Sequence, residues 1–490
     1  MSIATSLRYL HGFVLMDNDQ FLFVTIHDPT WLLYVAVLLV AVFFRFSRLW
    51  SVRNLDLTLT LLLSTALVIE GRAREQLADH KADIELLSPE KLAHTEWVSS
   101  WGSIAVLSIS ILLVFRLIFD EWMTRRPRLE QNLNQAGLTF LLIPAFSILM
   151  SGVFLKEPPE ENVDSVEAGV ALLERAESSR AVEAEAAPPP PTETILAAGA
   201  AKVAELSGHV TPSDVKSDST QSKPEEFLAR TLVVFAHTCV VLGLMYIGRK
   251  HFNSMQLGVS MSCLYLLLPC TAFNVHQLSH VIPAACLTWA VAMYRKPAVA
   301  GVLLGAACGT LFFAVFLLPV WAVFYSRKSR VRFGVSLAAV AAVLMLAVAL
   351  TSENTDSFVN KLVMTANWSV YRLFDAASPL PQQPIGTIFL RITLAALFFV
   401  LLVAMTVIPR KRNLENLLAN STALIVMAQL WYPDDVGSYV LWYLPLMLIV
   451  VFRPRLDRFV PPEDPHATLA RQRDDVNKAA GSMSRVTLYS

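Results

Sequence analysis

Charged residues are scarce in this sequence. They make up 16% of its 490 residues, whereas hydrophobic residues make up 54%, and a soluble chain of ordinary composition carries roughly 25% charged residues. The shortage excludes an ordinary soluble globular protein. Acidic and basic residues also balance, at 40 each, so no excess of positive charge points to a nucleic-acid partner.

Cysteine is rare as well, and the motifs of several enzyme classes are missing. The five cysteines all fall in apolar segments without CxxC or Cys/His spacing, which argues against a disulfide framework and against a metal site. They are Cys239, Cys263, Cys270, Cys286 and Cys308. The sequence contains no P-loop, GxSxG elbow or HExxH helix, so it predicts no cofactor. The N-terminus also lacks the pattern of a cleavable signal peptide.

Long hydrophobic runs are the abundant feature of the sequence. Its mean hydropathy is +0.50, and apolar runs of about 17 to 25 residues, the length that spans a bilayer as a helix, recur between charged connectors. Such runs must be helical, because lipid offers no hydrogen-bond partner to the backbone. We predict an all-α polytopic transmembrane helical bundle with eleven full spans. The predicted spans are 30–46, 54–70, 100–119, 137–155, 227–247, 254–273, 279–294, 331–350, 386–408, 415–431 and 438–452.

Clusters of Lys and Arg occur between alternate spans. They lie at 45–53, 125–128, 249–250, 295–296, 327–332, 410–412 and 453–458. The positive-inside rule assigns these connectors to the cytoplasmic side. The sequence therefore predicts an N-terminus outside, a C-terminus in the cytoplasm and a location in the plasma (inner) membrane.

The segment 298–325 does not fit the count of spans. Basic residues flank both of its ends, yet its ~28 residues are too few for two complete crossings at ~1.5 Å per residue. Gly301, Gly305 and Gly309 mark places where it could bend. We predict a re-entrant hairpin of two half-helices. The alternative is one long tilted helix beside a miscounted neighbour.

The connector 156–226 divides the chain. After Lys156 it holds fifteen acidic and five basic residues, with four consecutive prolines at 188–191. Such a composition buries too little apolar surface to offset the entropy of ordering, so we predict a disordered extracytoplasmic linker with at most a short helix near 195–206. The predicted division is an N-terminal membrane domain of four spans (1–155), the linker (156–226), a C-terminal membrane domain of seven spans and the hairpin (227–460), and a cytoplasmic tail (461–490).

Two shorter outer connectors have apolar residues at helical spacing with charges elsewhere. The connectors 71–98 and 352–385 share this pattern, which is typical of an amphipathic helix that lies along a membrane surface. We predict a surface helix in each, and a simple surface connection is the alternative.

Two adjacent carboxylates, Asp434 and Asp435, stand in the connector before the last span. In the predicted orientation they face the extracytoplasmic water layer, beside aromatic residues that favour the membrane interface, Trp442 among them. Pro433 and Gly437 could form a tight turn that the aspartates keep hydrated. The alternative is a carboxylate site for a substrate that has a polar head and a lipid tail.

Other polar residues at the outer ends of spans are candidates for binding or catalysis. His276 and His280 are four residues apart, so a helix would place them on one face, although two histidines alone are a weak metal signal. Arg391 lies just inside the outer end of its span, where a lone cation is costly and usually has a partner or a role. The alternative explanation for Arg391 is that its long side chain reaches the membrane surface by snorkelling. Glu70 ends the second span and Glu96 precedes the third.

Several short stretches carry a resemblance to a known family. They are L-Y-L-L-L-P at 264–269, I-P-A at 282–284, Y-R-K-P at 294–297, G-V-L-L-G at 301–305, L-L-P-V-W at 317–321, W-Y-P at 431–433 and Y-V-L-W-Y-L-P at 439–445. Together they cover about a quarter of the chain. This pattern resembles multi-spanning glycosyltransferases of the GT-C superfamily, in particular the polyprenol-phosphate-mannose-dependent family 87.

The resemblance implies a transferase that takes a sugar from a polyprenyl-phosphate carrier on the extracytoplasmic side. An acidic residue in the first outer loop would act as the base toward an acceptor hydroxyl, a role that could fall to Glu70 or to an acid in the 71–98 connector. Arg391 could then stabilise the phosphate that leaves. Membrane lipids and a lipid-linked sugar would be the partners. The same residues could instead line a transporter or flippase, or belong to a non-enzymatic assembly protein.

Overall fold

The computed structural model of the chain describes residues 20–21, 24–25, 29–48, 50–82, 88–120, 123, 132–175, 188–206, 224–352, 354–365, 385–408, 412–431, 439–454 and 460–461. Apart from two paired two-residue strands, Gln20–Phe21 and Val24–Thr25, the regular structure of these residues is helical. This confirms the predicted all-α class.

The described residues form seventeen α-helices. In chain order they are α1 Pro29–Phe43, α2 Val52–Ala82, α3 Pro89–Ile118, α4 Gln135–Leu155, α5 Glu160–Glu174, α6 Pro191–Leu206, α7 Pro224–Lys250, α8 Met255–Leu267, α9 Pro269–Phe273, α10 Leu278–Ala292, α11 Pro297–Cys308, α12 Leu318–Phe324, α13 Arg327–Leu350, α14 Thr355–Thr365, α15 Ile385–Val407, α16 Leu414–Ala428 and α17 Val440–Phe452. Two 3₁₀ segments lie at Phe46–Arg48 and Phe312–Leu317.

A helix lies at each of the eleven predicted spans. Five helices among the described residues, α2, α3, α4, α7 and α13, are long and apolar enough to cross a membrane, so the chain is a multi-pass integral membrane protein. Other apolar helices are shorter. The 13 residues of α17 rise ~20 Å against a hydrocarbon layer of ~30 Å. The number of complete crossings and their orientation therefore stay predictions.

The short helices α16 and α17 form the centre of the bundle, and the long helices α4 and α13 lie at its periphery. All thirteen residues of α17 and all residues of α16 except Glu415 are buried, and α17 packs against α2, α8, α10 and α16. By contrast, only 22% of the apolar stretch of α4 and 17% of that of α13 are buried inside the protein. Since lipid is as apolar as these side chains, the peripheral helices need not bury them.

We call the end of the bundle at which α2 and α16 begin and α3 and α17 end the basic end. A buried ion-pair network joins these four helices there. The Arg116 guanidinium pairs with Asp56 through Nε at 2.7 Å and through Nη2 at 2.9 Å, and with Asp120 through Nη1 at 2.7 Å. Arg453 pairs with Asp120 and with Glu415. Four members of the network are at most 4% exposed: Arg116, Asp56, Asp120 and Arg453. A charge within a membrane protein needs such partners.

The segment 298–325 leaves the basic end and returns to it. Helix α11 stops at Cys308, and after the 3₁₀ segment the chain continues as α12. The Tyr325 hydroxyl donates a hydrogen bond to the Tyr294 carbonyl at 2.8 Å, so both ends of the segment meet. The segment therefore forms a hairpin, and its re-entrant position in the membrane stays a prediction. The expected bend at Gly301 is wrong, because Gly301 lies inside α11, where a Cβ would come 2.5 Å from the Phe333 carbonyl oxygen of α13.

The described parts of the acidic connector, 156–175 and 188–206, contain two helices, which corrects the predicted disorder there. Residues 176–187 and 207–223 lie outside the described residues. The observed α6 includes the short helix predicted near 195–206, but α5 was not expected. The two helices pack closely. A Cβ on Gly169 would lie 2.6 Å from the Ala198 nitrogen. Small residues permit this approach, and Val166 and Ala197 are fully buried.

The α5–α6 pair is bound to the ends of the membrane helices. The Asn162 Nδ2 group donates to the His276 carbonyl at 2.7 Å, and the Thr192 hydroxyl donates to the Ala306 carbonyl at 2.7 Å. Except for Glu193, which is buried, the charged residues of the two helices are at least partly exposed, whereas small residues such as Ala168 and Ala198 are buried. The division of the chain into separate N- and C-terminal membrane domains stays a prediction.

The connector 71–98 is not a separate surface helix. Helix α2 continues through Ala82, and α3 already begins at Pro89, so the connector mostly extends the two spans. The continuation is favoured by strong helix formers such as Ala73, Glu75 and Gln76. In the connector 352–385 the structure contains the helix α14.

Candidate functional site

Glu70 lies in the interior of α2 rather than at its end, because the helix continues to Ala82. Its side chain is 3% exposed, and its Oε1 atom accepts hydrogen bonds from the Arg74 guanidinium and from the Ser103 hydroxyl of α3, the latter at 3.0 Å. Gly102 makes room for it, since a Cβ there would come 2.7 Å from the Glu70 Cβ. The carboxylate is therefore held in one orientation between α2 and α3.

Glu96 has a different environment. It lies on the first half of α3 and is exposed, whereas its neighbour Thr95 is buried. The exposed His94 ring lies 6.3 Å from the Trp97 ring. Both predicted acids thus belong to the packed pair α2 and α3: Glu70 is buried within the pair, and Glu96 is open to the surroundings.

A groove runs between α1, α2 and α3. It encloses about 520 Å³. Its lining residues are Leu32, Leu33, Ala36, Thr65, Val68, Ile69, Arg72, Ala73, Gln76, His94, Thr95 and Val98. We call it the α1–α3 groove.

The α1–α3 groove has an apolar and a polar half. The lining residues farther from these helix ends are mostly apolar, with Ala36, Val68 and Val98 among them. Arg72 and Gln76 lie nearer the end of α2, and His94 lies near the start of α3. Arg72 is 34% exposed and also pairs with Glu75 at 3.5 Å. The arrangement suits a molecule that has an apolar chain and a polar, anionic head.

The spacing of the groove residues along α2 carried a signal that the predicted span boundaries missed. Positions 65, 68, 69, 72, 73 and 76 recur at i, i+3, i+4, i+7, i+8 and i+11, the spacing of one helix face. A helix that continues beyond residue 70 places Arg72 and Gln76 on the same face as Val68. The partners from α1 and α3 could not have been assigned in that way, since they come from tertiary packing.

His276 and His280 do not form the predicted pair on one helix face. Helix α10 begins at Leu278, so His276 lies in the preceding turn. Burial, together with the charges of Lys156 and Arg230, lowers the pKa of His276 to about 4. The His280 ring lies 5.7 Å from the Tyr439 ring. Among the described residues, no group of three or more metal-ligating side chains occurs.

Asp434 and Asp435 lie outside the described residues, as does the side chain of Arg391, whose backbone belongs to α15. The residues on either side of the carboxylate pair are described. Trp431 is 1% exposed and packs on Phe398 at 5.4 Å, and Tyr439 is fully buried against Phe313 at 4.7 Å. The two ends of the connector that holds the carboxylates are therefore fixed inside the protein.

Trp442 is a core residue. It is 0% exposed and its ring lies 4.7 Å from the Phe313 ring. Trp431, Tyr439 and Tyr443, which are close to it in the sequence, are buried as well, and the position of these rings relative to the membrane interface stays a prediction. Helix α17 is central, so these rings fill space between helices. A direct contact of Trp442 with a substrate is not supported by this position.

No protein-family model matches the chain, and no curated protein matches it. The site therefore has to be interpreted from its own geometry. Glu70 is not among the lining residues of the α1–α3 groove. It lies between the lining residues Ile69 and Arg72 along α2, and its carboxylate is directed to Ser103 of α3.

Proposed function

We propose that this membrane protein binds a polyprenyl-phosphate-linked sugar in the α1–α3 groove and transfers the sugar to an acceptor hydroxyl, as a GT-C-like glycosyltransferase. The observation that carries the proposal is the groove itself, apolar at depth and lined by Arg72, Gln76 and His94 near the helix ends. An isoprenoid chain matches the apolar half, and a phosphate matches a guanidinium.

The chemistry requires a base close to the acceptor. The acceptor oxygen forms a bond to the anomeric carbon, the bond from that carbon to the phosphate oxygen breaks, and the phosphate leaves with its lipid. The proton of the acceptor hydroxyl goes to a carboxylate. Glu70 is the first candidate because it is a buried carboxylate on α2, the helix that supplies Ile69 and Arg72 to the groove, and Glu96, Asp434 and Asp435 are the others. The departing phosphate would be neutralised by Arg72, with Arg391 as a further candidate.

The test is turnover of polyprenyl-phosphate-mannose by the purified full chain in nanodiscs, measured as release of polyprenyl phosphate. Glu70→Gln should reduce the release by at least about 100-fold, the lower range of general-base effects. The control Glu205→Gln makes the same change at a half-exposed position of α6 and should leave the rate unchanged.

Two results would contradict the proposal. Binding of the lipid without release, in the intact chain, would favour a transporter or flippase. Absence of both binding and release would favour an assembly protein.

The proposal also requires the polar end of the groove to face the extracytoplasmic side. Lys202→Cys on α6, whose parent side chain is 51% exposed, should react with an impermeant thiol reagent in intact cells, and Ala480→Cys should not. The native cysteines are replaced by serine in the background. Reaction of Ala480→Cys alone would reverse the orientation.

A further inference from the structure

A second cavity lies at the basic end of the bundle, on the far side of α16 from the ion-pair network. It encloses about 200 Å³ between α12, α15 and α16. Its lining residues are Val320, Val323, Phe324, Met405, Thr406, Val407, Ile408, Arg412, Asn413, Asn416, Leu417 and Asn420. We call it the asparagine cavity.

Three carboxamides lie on one face of α16 and line the cavity. Asn413, Asn416 and Asn420 recur at i, i+3 and i+7 and are at most 9% exposed. The Asn413 side chain caps the helix by accepting from the Asn416 nitrogen at 2.9 Å. Carboxamide NH₂ groups are hydrogen-bond donors, so this face of α16 offers polar contacts within walls of Val, Met and Phe.

The charges near the cavity favour an anion. Arg412 lines it and is exposed, and it follows Arg410 and Lys411 in the sequence. Glu415, the one acid of the first turn of α16, pairs with Arg453 in the network instead. The N-terminal end of the α16 helix dipole adds to the positive potential. No acidic residue is among the cavity's lining residues.

The walls of the cavity favour a lipid rather than a soluble anion. Val407 and Ile408 line it and are 71% and 54% exposed, so the cavity continues into the apolar surface that a bilayer would cover. Basic pockets between membrane helices on the cytoplasmic side, which is the side predicted for the Lys and Arg clusters, are suited to anionic lipid head groups.

We propose that the asparagine cavity binds the phosphodiester head group of an anionic phospholipid, held by Arg412 and the carboxamides of α16, with the acyl chains along Val407 and Ile408. The site is separate from the α1–α3 groove and does not depend on the proposed transferase function.

The test uses the delipidated full chain in a neutral detergent, titrated with phosphatidylglycerol, with phosphatidylcholine or with inorganic phosphate. Native mass spectrometry counts bound lipid, and the shift of the melting temperature reports its effect on stability. Phosphatidylglycerol should bind with saturation and raise the melting temperature, whereas phosphatidylcholine and phosphate should not.

Matched variants locate the site. Arg412→Gln should weaken phosphatidylglycerol binding by about tenfold or more, as expected for one charged hydrogen bond, and Arg412→Lys should restore some of the lost affinity. Val323→Phe narrows the cavity without a charge change and should weaken binding as well. The control Arg332→Gln removes an exposed arginine from the same end of the bundle and should bind as the parent does.

Three results would overturn the proposal. Equal binding of phosphatidylcholine would mean that charge is not recognised, and an equal effect of inorganic phosphate would mean a soluble-anion site. Unchanged binding in both Arg412→Gln and Val323→Phe would place the lipid elsewhere. Both variants lie at a cavity edge, and size-exclusion profiles matching the parent would establish that they are folded.

Discussion

The two ends of the central helices are held together by different interactions. At the basic end, Arg116, Asp56 and Asp120 form buried charge pairs between α2 and α3. At the opposite end, Gln429 after α16 donates to the Ser110 hydroxyl of α3 at 2.8 Å, and Phe313 packs on Trp442. The central helices α16 and α17 are held by charge at the basic end, where Arg453 pairs with Glu415, and by neutral contacts at the other end.

The difference indicates where chemistry can take place. A buried charge network is specific, and it loses much stability when one member is removed, so its residues have little freedom to bind a substrate. The opposite end has the α1–α3 groove, the Glu70 carboxylate and the connector with Asp434 and Asp435. The stabilising ion pairs therefore lie at the basic end, and the candidate catalytic and binding residues lie at the opposite end. The asparagine cavity is proposed as a separate lipid site.

The largest expected effect comes from the network. Arg116→Met removes one guanidinium and leaves Asp56 and Asp120 buried without it, so the free energy of unfolding should fall by about 3–5 kcal/mol. An unfolding titration in mixed micelles measures the change. The control is Arg230→Met, which removes a longer, partly exposed pair with Glu226 at the opposite end, 3.5 Å between Nη2 and Oε2, and should cost about 1 kcal/mol or less. Equal losses of unfolding free energy in Arg116→Met and Arg230→Met would contradict the difference between the two ends.

The docking of α5 and α6 should respond to overpacking. Gly169→Leu would force the α5–α6 contact apart and should destabilise it by about 1–3 kcal/mol, with faster hydrogen exchange in both helices. Gly199→Leu is the matched control, because a Cβ at Gly199 meets nothing within 4 Å. The docked arrangement would be contradicted if the two variants exchanged alike.

A pH effect of intermediate size is expected from Glu193. Its carboxyl is buried beside the Ser165 hydroxyl at 2.9 Å, and burial raises its pKa to about 8, with the Glu161 charge raising it as well. A raised pKa means that the folded state keeps a proton which the unfolded state has lost. Stability from this group is therefore full below about pH 4.5 and declines as the pH rises toward 8.

Melting temperatures measured between pH 5 and pH 8 test this effect. The parent protein should lose stability as the pH rises, and Glu193→Gln should remove the Glu193 contribution to the slope, because an amide does not ionise. Glu161→Gln serves as the control and should keep most of the slope. An unchanged slope in Glu193→Gln would mean that other groups cause the dependence.

The smallest effect on stability is expected at the carboxylate pair. Asp434→Asn and Asp435→Asn should each change the free energy of unfolding by less than ~0.5 kcal/mol, as surface substitutions usually do. If either residue serves the proposed transferase, turnover should nevertheless fall. A loss of several kcal/mol would mean that the pair is a structural element like the network at the basic end.

The helices could be predicted from the sequence because their cause is local. Backbone groups in lipid must be paired within the segment, and every predicted span contains a helix. Helix α5 was missed because its charged residues dominate the composition, although its buried positions 162, 165, 166 and 169 follow helical spacing.

The site could be predicted only incompletely. Glu70 was identified as a candidate from its place beside an outer connector, but its partner Ser103 comes from packing of α3 on α2. Arg116 and Asp56 are 60 residues apart, and no periodicity connects them. The position of Trp442 in the core follows from the central location of α17, which a count of spans does not provide.

The most direct test of the central claim is photo-crosslinking from the groove. A photoreactive amino acid replaces Ile69, a groove residue that is 43% exposed, or Ile143 on the peripheral helix α4, which is 61% exposed. Each protein is then irradiated with labelled polyprenyl-phosphate-mannose in nanodiscs. We expect a crosslink at position 69 that saturates and is competed by unlabelled lipid, and a weak, non-saturating crosslink at 143. Equal, non-saturating crosslinking at both positions would contradict a specific lipid site in the α1–α3 groove.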